Sequence, residues 1–101
     1  MYKVKITVIR KREYPDLIEQ YELPMEMPCM EKEGNVYISV DAKKPKGLCE
    51  SAWETLAPFV YDLANGKSHF YGDWMKNPYS AMLSCNDGFR PVSFLIEKIE
   101  E

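Results

Sequence analysis

Long hydrophobic runs are absent from this chain. No stretch approaches the roughly 18 to 20 apolar residues that a membrane-spanning helix requires. The first residues, Met1-Tyr2-Lys3-Val4-Lys5-Ile6, alternate apolar with polar, so the continuous apolar segment of a secretory signal is missing there. There is no acidic or basic tail, no internal repeat and no low-complexity segment. Cysteine is scarce and odd in number: Cys29, Cys49 and Cys85 cannot all pair within one chain, and no C-x-x-C occurs. These features predict free thiols and a cytoplasmic setting. His69 is the only histidine. No carboxylate pair, G-x-S-x-G, phosphate-binding loop or H-E-x-x-H is present, which removes the familiar signatures of hydrolases and nucleotide enzymes. A dominant charge is lacking too. Thirteen Lys and Arg stand against sixteen Asp and Glu, a net charge of −3. Such mild acidity disfavours nucleic acid, which selects a strongly basic face.

What is present is ordinary for a globular domain. Of 101 residues, 46% are apolar, 29% charged and 13% aromatic, which excludes disordered, collagenous and coiled-coil readings. A chain of this length buries roughly 65% of its unfolded surface, enough for one core, so residues 1–101 are expected to form a single domain.

Hydrophobic periodicity predicts the elements. Tyr2, Val4, Ile6 and Val8 alternate with Lys3, Lys5 and Thr7, the period of a strand with one buried face. Arg10-Lys11-Arg12-Glu13 should leave that strand as a polar segment. Pro15 through Tyr21 reads as a short helix, with proline in the first turn and Asp16 at the positive end of the dipole. Pro24 and Pro28 make residues 22–30 a loop. After the turn signal Glu33-Gly34-Asn35, Val36 through Val40 is a second strand. Cys49, Ala52, Trp53, Leu56, Val60, Leu63 and Ala64 form one stripe at helical spacing, with Trp53 and Leu56 in its middle, and Asn65-Gly66 stops it. Ser51 and Glu54 have capping-box spacing. Pro58, opposite the stripe, should kink or split the helix. Residues 67–80 are a long aromatic loop, either a lid or a cover for the core. Ala81–Cys85 and Val92–Ile99 flank Asn86-Asp87-Gly88-Phe89, a hairpin whose Asp-Gly pair tolerates positive φ. The order is β-α-β-α-β-β. It predicts an α+β fold in which a small, mainly antiparallel sheet packs against one main amphipathic helix.

Few residues carry chemistry. Cys29, Cys49, Cys85 and His69 make a candidate zinc or other thiophilic-metal set, although their spacing matches no zinc motif; core packing is the bland alternative. Met25, Met27, Cys29 and Met30 supply soft sulfur of the kind that selects Cu(I), or a flexible packing segment. His69 with Phe70, Tyr71 and Trp74 either lines a ligand pocket or closes the core. Asp87 suits the hairpin turn. Arg90 is pinned before Pro91 and is expected to pair with Asp87 or Asp73, or to grip a ligand anion. Lys3, Lys5, Arg10, Lys11, Arg12, Lys43, Lys44 and Lys46 read as a solvated face rather than a binding patch.

At these residues the sequence resembles a family of short bacterial and archaeal proteins, over nearly its full length. The likeness rests on the lysine-rich first strand, on Cys29 followed by Glu33-Gly34, and on Gly47-x-Cys49-x-x-Ala52-Trp53 at the helix start. Its most specific part is Cys85-x-Asp87-Gly88-x-Arg90-Pro91-Val92-x-Phe94-x-Ile96-Glu97. Where the family often places a proline after the helix cysteine, this chain has Glu50. The resemblance implies no reaction, substrate or cofactor. It implies that Cys29, Cys49, Cys85, Asp87 and Arg90 belong to one pattern.

Three function classes follow. The first is a non-catalytic binding or accessory module with an unknown protein or small-molecule partner. The second is a thiol or metal site built on Cys29, Cys49 and Cys85, with His69 as an optional fourth member. The third is a small enzyme with His69 and Arg90 in one cleft. No cofactor is predicted, a membrane is not expected, and self-association is open.

Overall fold

Strand β1 (Lys3–Lys11) buries Val4, Ile6 and Val8 on one side and turns Lys3, Lys5 and Thr7 to the other, as its alternation requires. The computed structural model describes residues 1–24 and 29–99. The remaining elements are α1 (Pro15–Tyr21), β2 (Val36–Ser39), α2 (Glu50–Ala64), β3 (Ser80–Ser84) and β4 (Val92–Ile99). The fold is α+β. Among the described residues the strands form one four-stranded sheet of order β2-β1-β4-β3, with every neighbouring pair antiparallel.

The first and last strands are central and pair from Lys3↔Ile99 to Lys11↔Val92. β1 runs further than expected because its register shifts between Val8 and Arg10. This bulge absorbs Ile9, which is exposed, and lets Arg10 and Lys11 stay in the ladder beside Ser93 and Val92. On the covered face, Val8 faces Phe94 and Ile6 faces Ile96, with Leu83 and Ala81 following on β3. Helix α2 lies on this face and buries Ala52, Leu56, Val60, Leu63 and Ala64.

Three expectations for α2 are corrected. Of the kink or split expected at Pro58, the split does not occur: the helix is one element of 15 residues. Proline removes the N–H that would reach the Glu54 carbonyl, but both residues lie on the exposed side, where that oxygen is open to solvent. Cys49 is not a buried stripe residue. It is the N-cap, it is exposed, and no capping box forms. Trp53 is only half-buried at the rim of the core, whereas Leu56 is fully enclosed.

The β3–β4 connection is also longer than a two-residue turn. Gly88 stays out of the left-handed region, and the Asp87 carboxylate shapes the bend by accepting the N–H groups of Phe89 at 2.7 Å and Arg90 at 3.1 Å. The aromatic loop serves as a cover through one residue: Phe70 is buried and meets Phe59 edge-on at 5.5 Å, while Tyr71 and Trp74 remain exposed. His69, Tyr71 and Asp73 all have positive φ, so this loop holds backbone strain on both sides of its anchor. No helix among the described residues is long and apolar enough to cross a membrane.

Leu56→Ala should destabilise the protein by about 2–5 kcal/mol through lost burial and a cavity. Trp53→Ala should cost less than Leu56→Ala, contrary to their equal places in the helical stripe. Chemical denaturation of the two variants tests the ranking, and a larger loss for Trp53→Ala would move the core centre toward the helix start.

Candidate functional site

The three cysteines converge. Cys29 comes from the loop before β2, Cys49 from the start of α2 and Cys85 from the end of β3. All three line one cleft of about 510 Å³, together with Met30, Glu31, Ala52, Asp87 and Arg90. Val92 and Phe94 form its floor. This size lies within the usual range for small-ligand sites. Gly47 lies at its mouth with φ +89, a conformation that turns the chain into Leu48 and Cys49; a side chain there would be strained whatever the space.

Glu31 organises one wall. It is only 4% exposed, yet both carboxylate oxygens are satisfied. The Tyr37 hydroxyl donates to Oε1 at 2.6 Å and the Cys49 N–H donates to Oε2 at 3.0 Å. Helix α2 has no side-chain cap of its own, so a carboxylate from a distant loop binds its first free N–H, where the helix dipole favours negative charge. Burial, reinforced by the hydrogen bond to Glu31, pushes the Tyr37 phenol up to about 12. Glu31 and Tyr37 were not candidates by sequence. A glutamate in an aperiodic loop carries no local signal, and Tyr37 reads as one more strand residue.

Arg90 does not pair with Asp87 or Asp73. Its Nη1 donates to Glu22 Oε1 at 2.7 Å, and its Nε lies 4.0 Å from Glu13 Oε2. The hydrogen bond to Glu22 is the main reason that the guanidinium holds its proton more firmly than usual. Both partners come from the two ends of the α1 segment. The backbone runs the same way: Arg12 N–H bonds Pro91 O and Tyr14 N–H bonds Phe89 O, each at 2.9 Å. Asp73 instead sits 3.7 Å from His69 Nε2. A second tie joins α2 to the hairpin, where the Ser51 hydroxyl donates to Asn86 Oδ1 at 2.5 Å. The Val92 N–H donates to Cys85 Sγ at 3.3 Å.

His69 and Trp74 lie elsewhere. His69 is exposed, hydrogen-bonded through Nδ1 to Ser68 Oγ at 2.7 Å, and lines no part of the cysteine cleft. It therefore stands outside the cleft that Arg90 and the three cysteines line. Trp74 stands edge-on to Tyr71 at 5.1 Å and borders a separate groove with Met75, Met82 and Leu95. Among the described residues, no group of three or more His, Cys, Asp or Glu side chains is arranged to hold a metal ion. Of the methionine cluster, Met30 lines the cleft, whereas Met25 and Met27 lie outside the described residues, as does Pro28. The lysines do not form one patch. Lys3 and Lys5 occupy the open side of β1, Lys11 Nζ donates to the Cys29 carbonyl at 3.3 Å, and Lys44 stands 3.7 Å from Glu50. All three cysteines are free thiols. No protein-family model, curated protein or solved structure matches the chain.

Two outcomes follow. The raised Tyr37 pKa means that the unfolded chain releases this proton first as pH rises, so the stabilisation is complete below pH 10 and lost toward pH 12. Tyr37→Phe should accordingly melt below wild type at neutral pH, with the gap closing across that window; a constant gap would remove the linkage. Arg90→Lys keeps the charge but loses the fork, so its Tm should fall, and Glu22→Gln should lower Tm too. In the double variant the two losses should be less than additive, because they break one pair. Additive losses would show that Arg90 and Glu22 act separately.

Proposed function

We propose that this protein is a non-catalytic binding module of the cytoplasm whose ligand site is the cysteine cleft. The observation that carries the reading is the meeting of Cys29, Cys49 and Cys85, far apart in sequence, on one cleft with an apolar floor. Its polar residues are largely occupied by the protein itself. Glu31 is bound to Tyr37 and Cys49, Asp87 to its own turn, and Arg90 to Glu22. What remains for a ligand is sulfur and hydrocarbon. The chemistry fits a small, predominantly apolar molecule rather than a phosphate or a sugar. The resemblance to the short bacterial and archaeal proteins groups the same three cysteines with Asp87 and Arg90, which agrees with a shared site. A second reading, a thiol site, rests on the same convergence and on the exposure of the Cys49 side of the cleft.

Thermal melts against a library of small apolar compounds should yield stabilising ligands. Those ligands should protect Cys29 and Cys85 from alkylation, and Ala52→Trp, which fills the cleft, should abolish both effects. Ligands that stabilise without altering the alkylation rates would place binding elsewhere and overturn the reading. Cys49→Ser separates the two alternatives: a binding module retains its ligand shift, whereas a thiol site loses it.

A further inference from the structure

The second face of the sheet has no helix on it. Its side chains form two rows that cross all four strands. The first row is Val36, Thr7, Leu95 and Met82; the second is Ile38, Lys5 and Glu97 and ends on β3 at Ser80, which is buried and donates to the Asn77 carbonyl, so that row is covered at its β3 end. Val36 is 51% exposed, Ile38 42% and Met82 36%, large apolar side chains left in solvent beside Thr7, Lys5 and Glu97. The two halves of the face differ in shape. Over β3 and β4, Trp74 and Met75 raise a wall that makes a groove floored by Met82 and Leu95. Over β2 no such wall stands among the groove residues, and Val36 and Ile38 project freely.

This pattern is its own complement. A twofold axis parallel to the strands, passing between β1 and β4, lays β2 of one copy over β3 of the other and β1 over β4. Val36 then meets Met82 of the second copy, in the groove beside Trp74, and Thr7 meets Leu95. Lys5 meets Glu97, twice, because the two are register partners on either side of the axis. Packing of two sheets face to face tolerates this arrangement with a crossing of about −30°. An isologous interface demands that each patch match itself under the axis, and both the apolar row and the charge pair do so.

We propose that the open sheet face is the interface of a symmetric homodimer, with a second copy of this chain as its occupant. Four strands about 4.8 Å apart give a face roughly 20 Å wide. That footprint is modest, which places the association at the weak, reversible end of specific interfaces. The dimer leaves the cysteine cleft free, since that cleft opens between α2 and the opposite face of the sheet.

Charge reversal tests the axis as well as the surface. Sedimentation velocity of wild type across a concentration series should show a monomer–dimer equilibrium. Lys5→Glu alone sets two carboxylates against each other across the axis, and Glu97→Lys alone sets two ammonium groups against each other, so each should weaken self-association by about tenfold or more. Mixing the two single variants restores one cross-subunit attraction between opposite charges at each position, and the mixture should form heterodimers more tightly than either variant forms homodimers. The double variant Lys5→Glu/Glu97→Lys, which exchanges the two charges, should recover close to wild-type self-association. Circular dichroism and melts confirm that each variant is folded. Met82→Arg is a further probe that leaves the charge pair alone and should also abolish the dimer. A wild type that stays monomeric at every concentration overturns the proposal and leaves the face to a different protein. So does a dimer insensitive to all these substitutions, or a charge-exchanged double variant that fails to associate while wild type does.

Discussion

The pairing of the first strand with the last is the constraint on which the molecule depends. β1 and β4 occupy the two central positions of the sheet and run together from Lys3↔Ile99 to Lys11↔Val92. β2 is bonded to β1 and β3 to β4, so the β1–β4 ladder is what joins the two pairs into one sheet. Closing so long a loop before its contacts reward it is the costly step in forming such a sheet. The rest of the topology follows. β2 adds to the free side of β1, and β3 adds to the free side of β4, so the chain between them must cross the whole sheet. Helix α2 makes that crossing, and its apolar stripe covers the face that Val4, Ile6, Phe94 and Ile96 present. One crossing helix covers one face, which is why the other face carries no helix.

The cleft is a by-product of the same crossing. Where α2 begins, it lies between the loop before β2 and the β3–β4 connection, to which Ser51 is bonded through Asn86. The gap is bounded by the loop before β2, by the helix start and by the β3–β4 connection, and each boundary contributes one cysteine. Side-chain bonds hold the three boundaries in place. Glu31 ties the loop to β2 and to the first turn of α2, Ser51 ties the helix to Asn86, and Arg90 ties the hairpin connection to both ends of the α1 segment. α1 itself buries no residue, so this ion pair and two backbone hydrogen bonds account for much of its attachment. The polar groups that frame the cleft are largely engaged by the protein itself.

Local periodicity was enough to predict every element and its approximate span. Alternation at Tyr2–Val8 named the buried face of β1, and the 3.6-residue stripe from Ala52 to Ala64 named the buried face of α2, because both patterns report burial directly. Prediction failed where a distant partner decides. Cys49 fits the helical stripe, yet it sits one residue before the helix, where Glu31 claims its N–H. Pro58 suggests a break, yet α2 runs through it with the proline on the solvent side. Arg90 was recognisable as a pinned arginine, but Glu22 lies 68 residues away and nothing local points to it.

By itself, then, the sequence determined which segments are strands and helices, which face of each turns inward, and that the fold is α+β. Those properties depend on residues a few positions apart, whose spacing along one element fixes their direction. Tertiary structure alone decided the strand order, the meeting of three cysteines without His69, the partners of Glu31 and Arg90, and which side chains share the helix-free face of the sheet. Each of these joins residues from different elements. Their proximity depends on how the elements pack, and the one-dimensional pattern of any single element carries no record of that.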